Sequence, residues 1–315
     1  MIVLVLAVAL DLLLGDPPNR WHPVAWIGRL IALGRRHVPR VPPRVPEDAA
    51  LYGSFLILIV AGVAAGGALV AHAILAHLPG FAAPLAQAWL LKCSFSLRGL
   101  FQAVELVRGH LVADDLEGAR QQVGWHLVSR STTELDRGAV ASAAVESLAE
   151  NLTDGLVAPV LFYTLGALLG DVGAGLALAW AYRAVNTADS MIGYHTEALE
   201  YLGRATARTD DALNYVPARL AAWALVAGAR LAGQSASGAW RVLERDGRRT
   251  ESPNAGQTMA AMAGALGVAV EKAGHYRLGE GPPPDVAAMD RAMRVERWGA
   301  ALSLAVAALL LAVRP

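Results

Sequence analysis

From Leu51 to Leu78 the chain runs without a single Asp, Glu, Lys or Arg. A helix over that stretch, rising 1.5 Å per residue, is longer than the roughly 30 Å hydrocarbon core of a bilayer. Inside lipid every backbone N–H and C=O must be satisfied internally, so a single spanning segment of this kind has to be helical. Composition extends the reading to the whole chain. Hydrophobic residues make up 55% and charged residues 17%, with a mean hydropathy of +0.40, whereas a soluble domain carries about 25% charged residues. The expected fold class is all-α, a polytopic integral membrane helical bundle with cytoplasmic loops and half-helices forming the site. One membrane domain over residues 1–315 is the expected organisation.

Further apolar segments come later in the chain. Pro79-Gly80 marks a tight turn, and Phe81 to Leu91 reads as the return arm of a transmembrane hairpin. The small residues from Ala61 to Ala68 suit close helix contact. His72 and His77 near that turn read as interfacial residues rather than ligands. Leu156 to Val185 holds two apolar arms around Gly170-Asp171-Val172-Gly173, and Trp298 to Val313 is another span, with Trp298 and Arg314 as interfacial anchors. The first residues resemble a signal sequence superficially. They lack a basic start, carry Asp11 within the apolar run and lead into Gly15-Asp16-Pro17-Pro18, so they read as a retained first helix.

Arginines sort the loops. Arg29, Arg35, Arg36, Arg40 and Arg44 precede the first long span, the last of them in a Pro/Arg-rich linker at about 35–48. Other clusters lie between Arg98 and Arg137, at Arg204/Arg208, at Arg241/Arg245/Arg248/Arg249 and at Arg291/Arg294/Arg297. By the positive-inside rule these loops are cytoplasmic. That places a multi-pass protein in the cytoplasmic (inner) membrane with its active site facing the cytoplasm. Leu213 to Gly233 has basic flanks on both sides and reads as a re-entrant or in-plane helix.

Several function classes lose support. A formal net charge of zero gives no reason to expect nucleic acid. Cys93 is the single cysteine, which excludes an internal disulfide and a cysteine-rich metal site. No internal repeat is visible, against an inverted-repeat transporter. No Gly-Lys pair occurs anywhere, so a Walker A loop is excluded.

The polar residues gather at the ends of the apolar segments. Glu146, Glu150, Thr153 and Asp154, at about 100° per residue, fall in one narrow arc of a helix set against the run from Leu156 to Leu169. Carboxylates on one face repel one another and call for a cation. A second cluster is Arg183, Asn186, Thr187, Asp189 and Ser190. A third is Arg208, Asp210, Asp211 and Asn214, continuing to Arg219. A fourth is Ser252-Pro253-Asn254-Ala255-Gly256, a turn that starts a helix running to Val270. Taken singly, each reads as a structural bridge, a solvated face or a helix cap. Their coincidence at membrane-helix ends, where ionisable groups are costly, favours function. Carboxylates with Asn and Ser or Thr oxygens are hard ligands suited to magnesium, and interspersed arginines suit phosphate.

Together, LDLLLGDPPNRWHPVAWIG, AAVESLAENLTDGLVAP, YRAVNTADSMIGY, ARTDDALNYVPARL, SPNAG with AAMAGALGV, and HYRLG resemble the adenosylcobinamide-phosphate synthase (CbiB/CobD) family of cobalamin biosynthesis. The blocks stand in the family's order. The resemblance implies an integral membrane amide ligase that joins adenosylcobyric acid to an aminoalcohol phosphate, such as 1-amino-2-propanol phosphate, using ATP and magnesium. It matches Asp11, Gly15, Asp16, Pro17, His22 and Pro23 to the N-terminal block, with the four clusters above as the later ones. Three departures stand out. Ser131 occupies a position where many relatives have Asp, so the Ser129–Thr132 loop is given no metal role. Ala188 replaces a common Leu, and Gln257 a common Trp.

On that resemblance Glu146, Glu150, Asp154 and Asp189 are the expected magnesium ligands. Asp210 and Asp211 hold a second ion or orient the amine. Arg183, Arg208 and Arg219 contact phosphate, with Asn186, Ser190, Asn214, Ser252 and Asn254 lining the substrate site. His22 is either the general base or a positioning group. Expected partners are the corrinoid, the aminoalcohol phosphate, ATP and the lipid bilayer, with a homo-oligomer or contacts to other cobalamin-pathway enzymes also open. The competing class is a non-enzymatic membrane transporter or an AmpE-like membrane sensor.

Overall fold

The computed structural model describes residues 1–36, 46–193 and 200–313, and within them the backbone is almost wholly helical. The linker expected at about 35–48 falls largely outside the described residues, together with Arg40, Arg44, Tyr194 and Arg314. In chain order the helices are α1 (Ile2–Leu14), α2 (Pro23–Arg36), α3 (Pro46–Leu75), α4 (Ala82–Lys92), α5 (Arg98–Val112), α6 (Leu116–His126) and α7 (Arg137–Leu152). A π-helical turn, Thr153–Val157, joins α7 to α8 (Ala158–Leu169). Then come α9 (Val172–Ile192), α10 (Glu200–Leu231), α11 (Ala236–Asp246) and α12 (Ala255–Leu266). A hairpin of β1 (Ala269–Lys272) and β2 (Tyr276–Gly279) precedes α13 (Val286–Ala312).

Among the described residues three segments are long and apolar enough to cross a membrane: Leu51–Leu75, Arg137–Leu169 and Val286–Ala312. The protein is thus an all-α membrane protein. The return arm departs from expectation. α4 has 11 residues, only about 16 Å of helix, too short to cross. It packs on α1 instead.

Contacts divide the chain into two interleaved units. The first holds residues 1–96, 158–213 and 307–315. Its central helix is α9, which packs against α2, α3, α4 and α8. The α8–α9 hairpin turns at Asp171, whose carboxylate accepts from the Ala174 N–H at 2.9 Å and so caps α9. A Cβ on Gly175 would stand 2.7 Å from the Tyr163 carbonyl oxygen, so glycine here lets the two helix backbones touch. His72 lies 4.0 Å from Asp171, at the end of this hairpin.

The second unit holds residues 97–157 and 214–306. Within it α7 packs against α5, α6, α12 and β1, and α11 pairs with α12. Most of α7 is buried because small residues alternate with Val and Leu around its whole circumference. Close approach at Gly228 brings its helix onto α13; a Cβ there would meet the Val295 carbonyl oxygen at 2.9 Å.

Two segments differ from the sequence expectation. The apolar stretch Leu213 to Gly233 is no separate re-entrant helix, because α10 starts upstream and runs through it, with Pro217 inside the helix. The helix expected to reach Val270 stops at Leu266. Gly267 takes a left-handed conformation at φ 68°, and Val270 belongs to β1, opposite Leu278 of β2. Val270, β-branched and buried, favours the pleated, half-buried surface of that hairpin.

Candidate functional site

In the second unit the acidic helix is organised around Glu146. Asp136 caps α7 by accepting from the Ala139 N–H at 2.8 Å. One turn apart on that helix, the Ser142 hydroxyl donates to Glu146 Oε1 at 2.8 Å. The Tyr276 phenol donates to Oε2 at 2.6 Å, and the Arg130 guanidinium lies 3.8 Å from the same oxygen. Ser142 also accepts from the Glu271 N–H at 2.9 Å. The β-hairpin is therefore sewn to α7 by a backbone donor on β1 and a phenol on β2. Burial, and then the Glu146 carboxylate, push the Tyr276 phenol well above its usual range. It stays a proton donor at any physiological pH.

The arc drawn through Glu146, Glu150, Thr153 and Asp154 ends early. α-Helical spacing stops at Leu152, and Thr153 and Asp154 belong to the π-helical turn. Such a turn inserts an extra residue and re-aims the side chains beyond it, a device frequent at functional sites. Glu150 lies within electrostatic reach of Tyr276. Asn151 folds back to donate to the Ser147 carbonyl at 2.8 Å.

The same unit clasps the Ser252–Gly256 turn. Arg219 donates from Nη1 to Asn254 Oδ1 and to the Tyr215 carbonyl, both at 2.8 Å, and from Nη2 to the Pro253 carbonyl at 3.3 Å. Its guanidinium stacks 3.5 Å above the Tyr215 ring. Asn254 opens α12 without capping it, its side-chain oxygen being turned to Arg219 instead. The Asn254 N–H donates to Ser252 Oγ at 3.2 Å. Gln257 donates to the Gly247 carbonyl at 2.6 Å. Asn214 is buried on α10 in this unit.

In the first unit α9 carries the Asn-Thr-Ala-Asp-Ser segment. Arg183 donates to Asn186 Oδ1 at 3.1 Å, and Asn186 Nδ2 donates to Asp210 Oδ1 at 3.3 Å. Three of the expected residues thus form one chain between α9 and α10, with Asn186 and Asp210 both buried. Thr187 and Ser190 donate back to the carbonyls of Arg183 and Asn186. Asp189 and Asp211 are half-buried, whereas Arg208 is exposed.

A further group in the first unit includes a residue that the sequence motifs do not pick out. Lys92, fully buried at the end of α4, pairs with Asp16 and lies 3.5 Å from Asp11. Ser96 donates to Asp16 Oδ2 at 2.5 Å, and His22 Nε2 stands 3.5 Å from Asp16 Oδ1. The other His22 nitrogen, Nδ1, accepts from the Val24 N–H at 3.2 Å. Both ring nitrogens are engaged in this geometry, which suits a positioning group better than a base. Burial works to raise the Asp16 carboxyl, but His22, Lys92 and Ser96 hold it well below the usual carboxylate range. Burial pushes the neighbouring Cys93 thiol up to about 11, so it behaves as a small apolar residue. One signal for Lys92 was available: it is one of two lysines in a chain of arginines.

Among the described residues no three of His, Cys, Asp and Glu converge as a ready metal site. Magnesium commonly binds through one or two carboxylates, with substrate phosphates and water completing its shell. Glu150 and Asp154 in the second unit, and separately Asp189 in the first, are oxygen donors of the chemical type that such an ion takes. Glu146 fits it poorly, since Ser142 and Tyr276 already occupy its two oxygens.

Comparison with known proteins places these residues in a family. The family model described as CobD/Cbib protein matches residues 4–305. The chain is 37% identical over 280 residues to "Cobalamin biosynthesis protein CobD" of Dehalococcoides mccartyi, covering 89% of this chain and 87% of the relative. It is 42% identical over 273 residues to the protein of that name from Geobacter metallireducens, covering 84% and 80%. For the Chromobacterium violaceum protein of the same name, identity is 41%, covering 98% and 97%. No solved structure matches the chain.

Proposed function

The chain belongs to the CobD/Cbib protein family, and from that premise we propose that it is an ATP- and magnesium-dependent amide ligase of cobalamin biosynthesis. Its substrates in this reading are adenosylcobyric acid and an aminoalcohol phosphate, 1-amino-2-propanol phosphate or a close analogue. Its product is adenosylcobinamide phosphate. The protein works in the cytoplasmic membrane with its site towards the cytoplasm. The observation that carries the reading is the largely buried Arg183–Asn186–Asp210 chain at the end of α9, a costly polar arrangement to keep at the end of an apolar helix unless it serves a polar ligand.

A free carboxylate is a poor acyl donor, because its resonance-stabilised oxygen is a poor leaving group. Magnesium-ATP, when bound, supplies the phosphoryl group that turns the corrinoid carboxylate into an activated acyl donor, with ADP released. The amine nitrogen then bonds to the acyl carbon, phosphate departs, and the amine loses a proton to a base or to water. In this scheme Glu150 and Asp154 of the second unit, and separately Asp189 of the first, would hold magnesium. Arg183 presents its guanidinium to a phosphate while Asn186 fixes its direction. Arg208, exposed on α10, is the second phosphate contact. Arg219 holds the Ser252–Gly256 turn in place.

The test is direct. Purified protein in detergent is incubated with adenosylcobyric acid, ATP, magnesium and aminopropanol phosphate, and the products are resolved by mass spectrometry. Adenosylcobinamide phosphate and ADP in equal amounts are expected. Folded protein that yields neither sinks the ligase reading. Substrate flux across vesicles without ATP turnover in its place would favour transport.

A further inference from the structure

Of the Asp11–Asp16–His22–Lys92–Ser96 group, only His22 has been given a role above. Lys92 and Asp11 are sealed, at 0% and 1% side-chain exposure, while His22 is at 14% and Asp16 at 32%. The outward edge of the group is therefore the Asp16 carboxylate. Its orientation is fixed from three sides, by Lys92 and His22 at Oδ1 and by Ser96 at Oδ2.

We propose that Asp16 receives the ammonium group of the amine substrate and that Lys92 is the positioning residue that holds it for that contact; the assignment rests on the amide-ligase reading. The chemistry selects among the reactants. A fixed carboxylate repels the phosphate groups of ATP and of the aminoalcohol phosphate. A magnesium ion requires a near-octahedral set of close oxygen ligands, and the Lys92 ammonium already occupies one approach to Oδ1. A primary ammonium requires only hydrogen-bond acceptors, and an ionised carboxylate offers up to about four lone-pair sites, of which the protein donors take three. Buried against Asp16, Lys92 anchors the acceptor from its inner side. Removing Lys92 would take away the donor that fixes Asp16 Oδ1 and let the side chain swing.

Binding, measured without turnover, tests this. Isothermal titration of the full chain in detergent compares 1-amino-2-propanol phosphate with 1,2-propanediol phosphate, which carries a hydroxyl where the amine stood. Wild type should prefer the amine by roughly tenfold or more, the usual scale of a charge-assisted hydrogen bond. Asp16→Asn, a neutral isostere that still accepts from Ser96, should erase the preference while leaving the diol phosphate affinity unchanged. Lys92→Met should do the same and Lys92→Arg should restore it. Wild type without a preference, or Asp16→Asn with a wild-type preference, overturns the proposal. Should Lys92→Met fail to fold, Asp16→Asn decides. A Lys92→Met protein that only melts earlier, its preference intact, reduces Lys92 to a structural ion pair and overturns its part. Wild type that shows the preference yet forms no amide fails the ligase reading alone.

Discussion

Replacing Tyr276 by Phe removes one oxygen and almost no packing, so its effect isolates the bond that ties β2 to α7. That bond, 2.6 Å from the phenol to Glu146 Oε2, is one of two hydrogen bonds received by a buried carboxylate. Hydrogen bonds to charged groups contribute about 1.5–3 kcal/mol. At about 1.4 kcal/mol per tenfold, local opening of the hairpin should become roughly 10- to 150-fold more frequent. Hydrogen exchange followed by mass spectrometry reads this directly. Peptides over residues 268–280 should lose protection, and so should the Glu271 amide, which bonds to Ser142 beside the same carboxylate. Peptides from α5 should keep theirs, because sub-global opening confines the loss to the released segment. A double-mutant cycle with Glu146→Gln should return a coupling of at least about 1 kcal/mol, as for partners in one network. Additive effects, or a protection change below about threefold in the hairpin, would refute the view that Glu146 is a tether.

Two other buried carboxyls give measurable outcomes. Glu296 on α13 is fully buried, and neither of its oxygens finds a hydrogen-bond partner among the described residues. Glu296→Leu should stabilise the protein by about 1–3 kcal/mol, read as a higher thermal transition in detergent; a lower transition would show that the carboxyl has a partner to lose. Asp246 is held the other way. Burial would raise its carboxyl, but Arg245, the Gly279 N–H and Arg249 keep it below the ordinary carboxylate range. A lowered folded-state value means the stabilisation is complete above the unfolded value of about 3.9 and is lost as pH falls through the lower, folded one. The Arg245–Asp246–Gly279 tie should therefore hold through pH 5, with Asp246→Asn removing its acid dependence in a melting series.

How far the residues announced their own arrangement differs from place to place. The α8–α9 hairpin was legible because Gly170-Asp171-Val172-Gly173 combines a turn with an N-cap between two apolar arms. So was the neighbourhood of Arg183 and Asn186, which share a helix face at a spacing of three. Tyr276 was recognised only as part of a block. Its partner lies 130 positions away, and no local period connects a strand residue to a helix carboxylate that far back. The end of α12 was missed because small apolar residues continue past Leu266; the left-handed Gly267 alone marks the stop. Gly, with no Cβ, carries that conformation silently.

Periodicity and composition alone determined that this chain is helical, bound to a membrane and polar at the ends of its apolar segments. Those properties arise from short-range spacing and from the cost of unsatisfied groups in lipid, which act on each segment independently of the others. Tertiary structure decided what each polar residue faces. It bound Glu146 to Tyr276 and Ser142, turned Arg219 onto the Ser252–Gly256 turn, and brought Lys92 from the end of a short apolar arm to the Asp16 carboxylate 76 positions earlier. The physical reason is that a buried charge must find a partner wherever the chain's packing delivers one. Sequence distance carries no information about that meeting until the helices are packed.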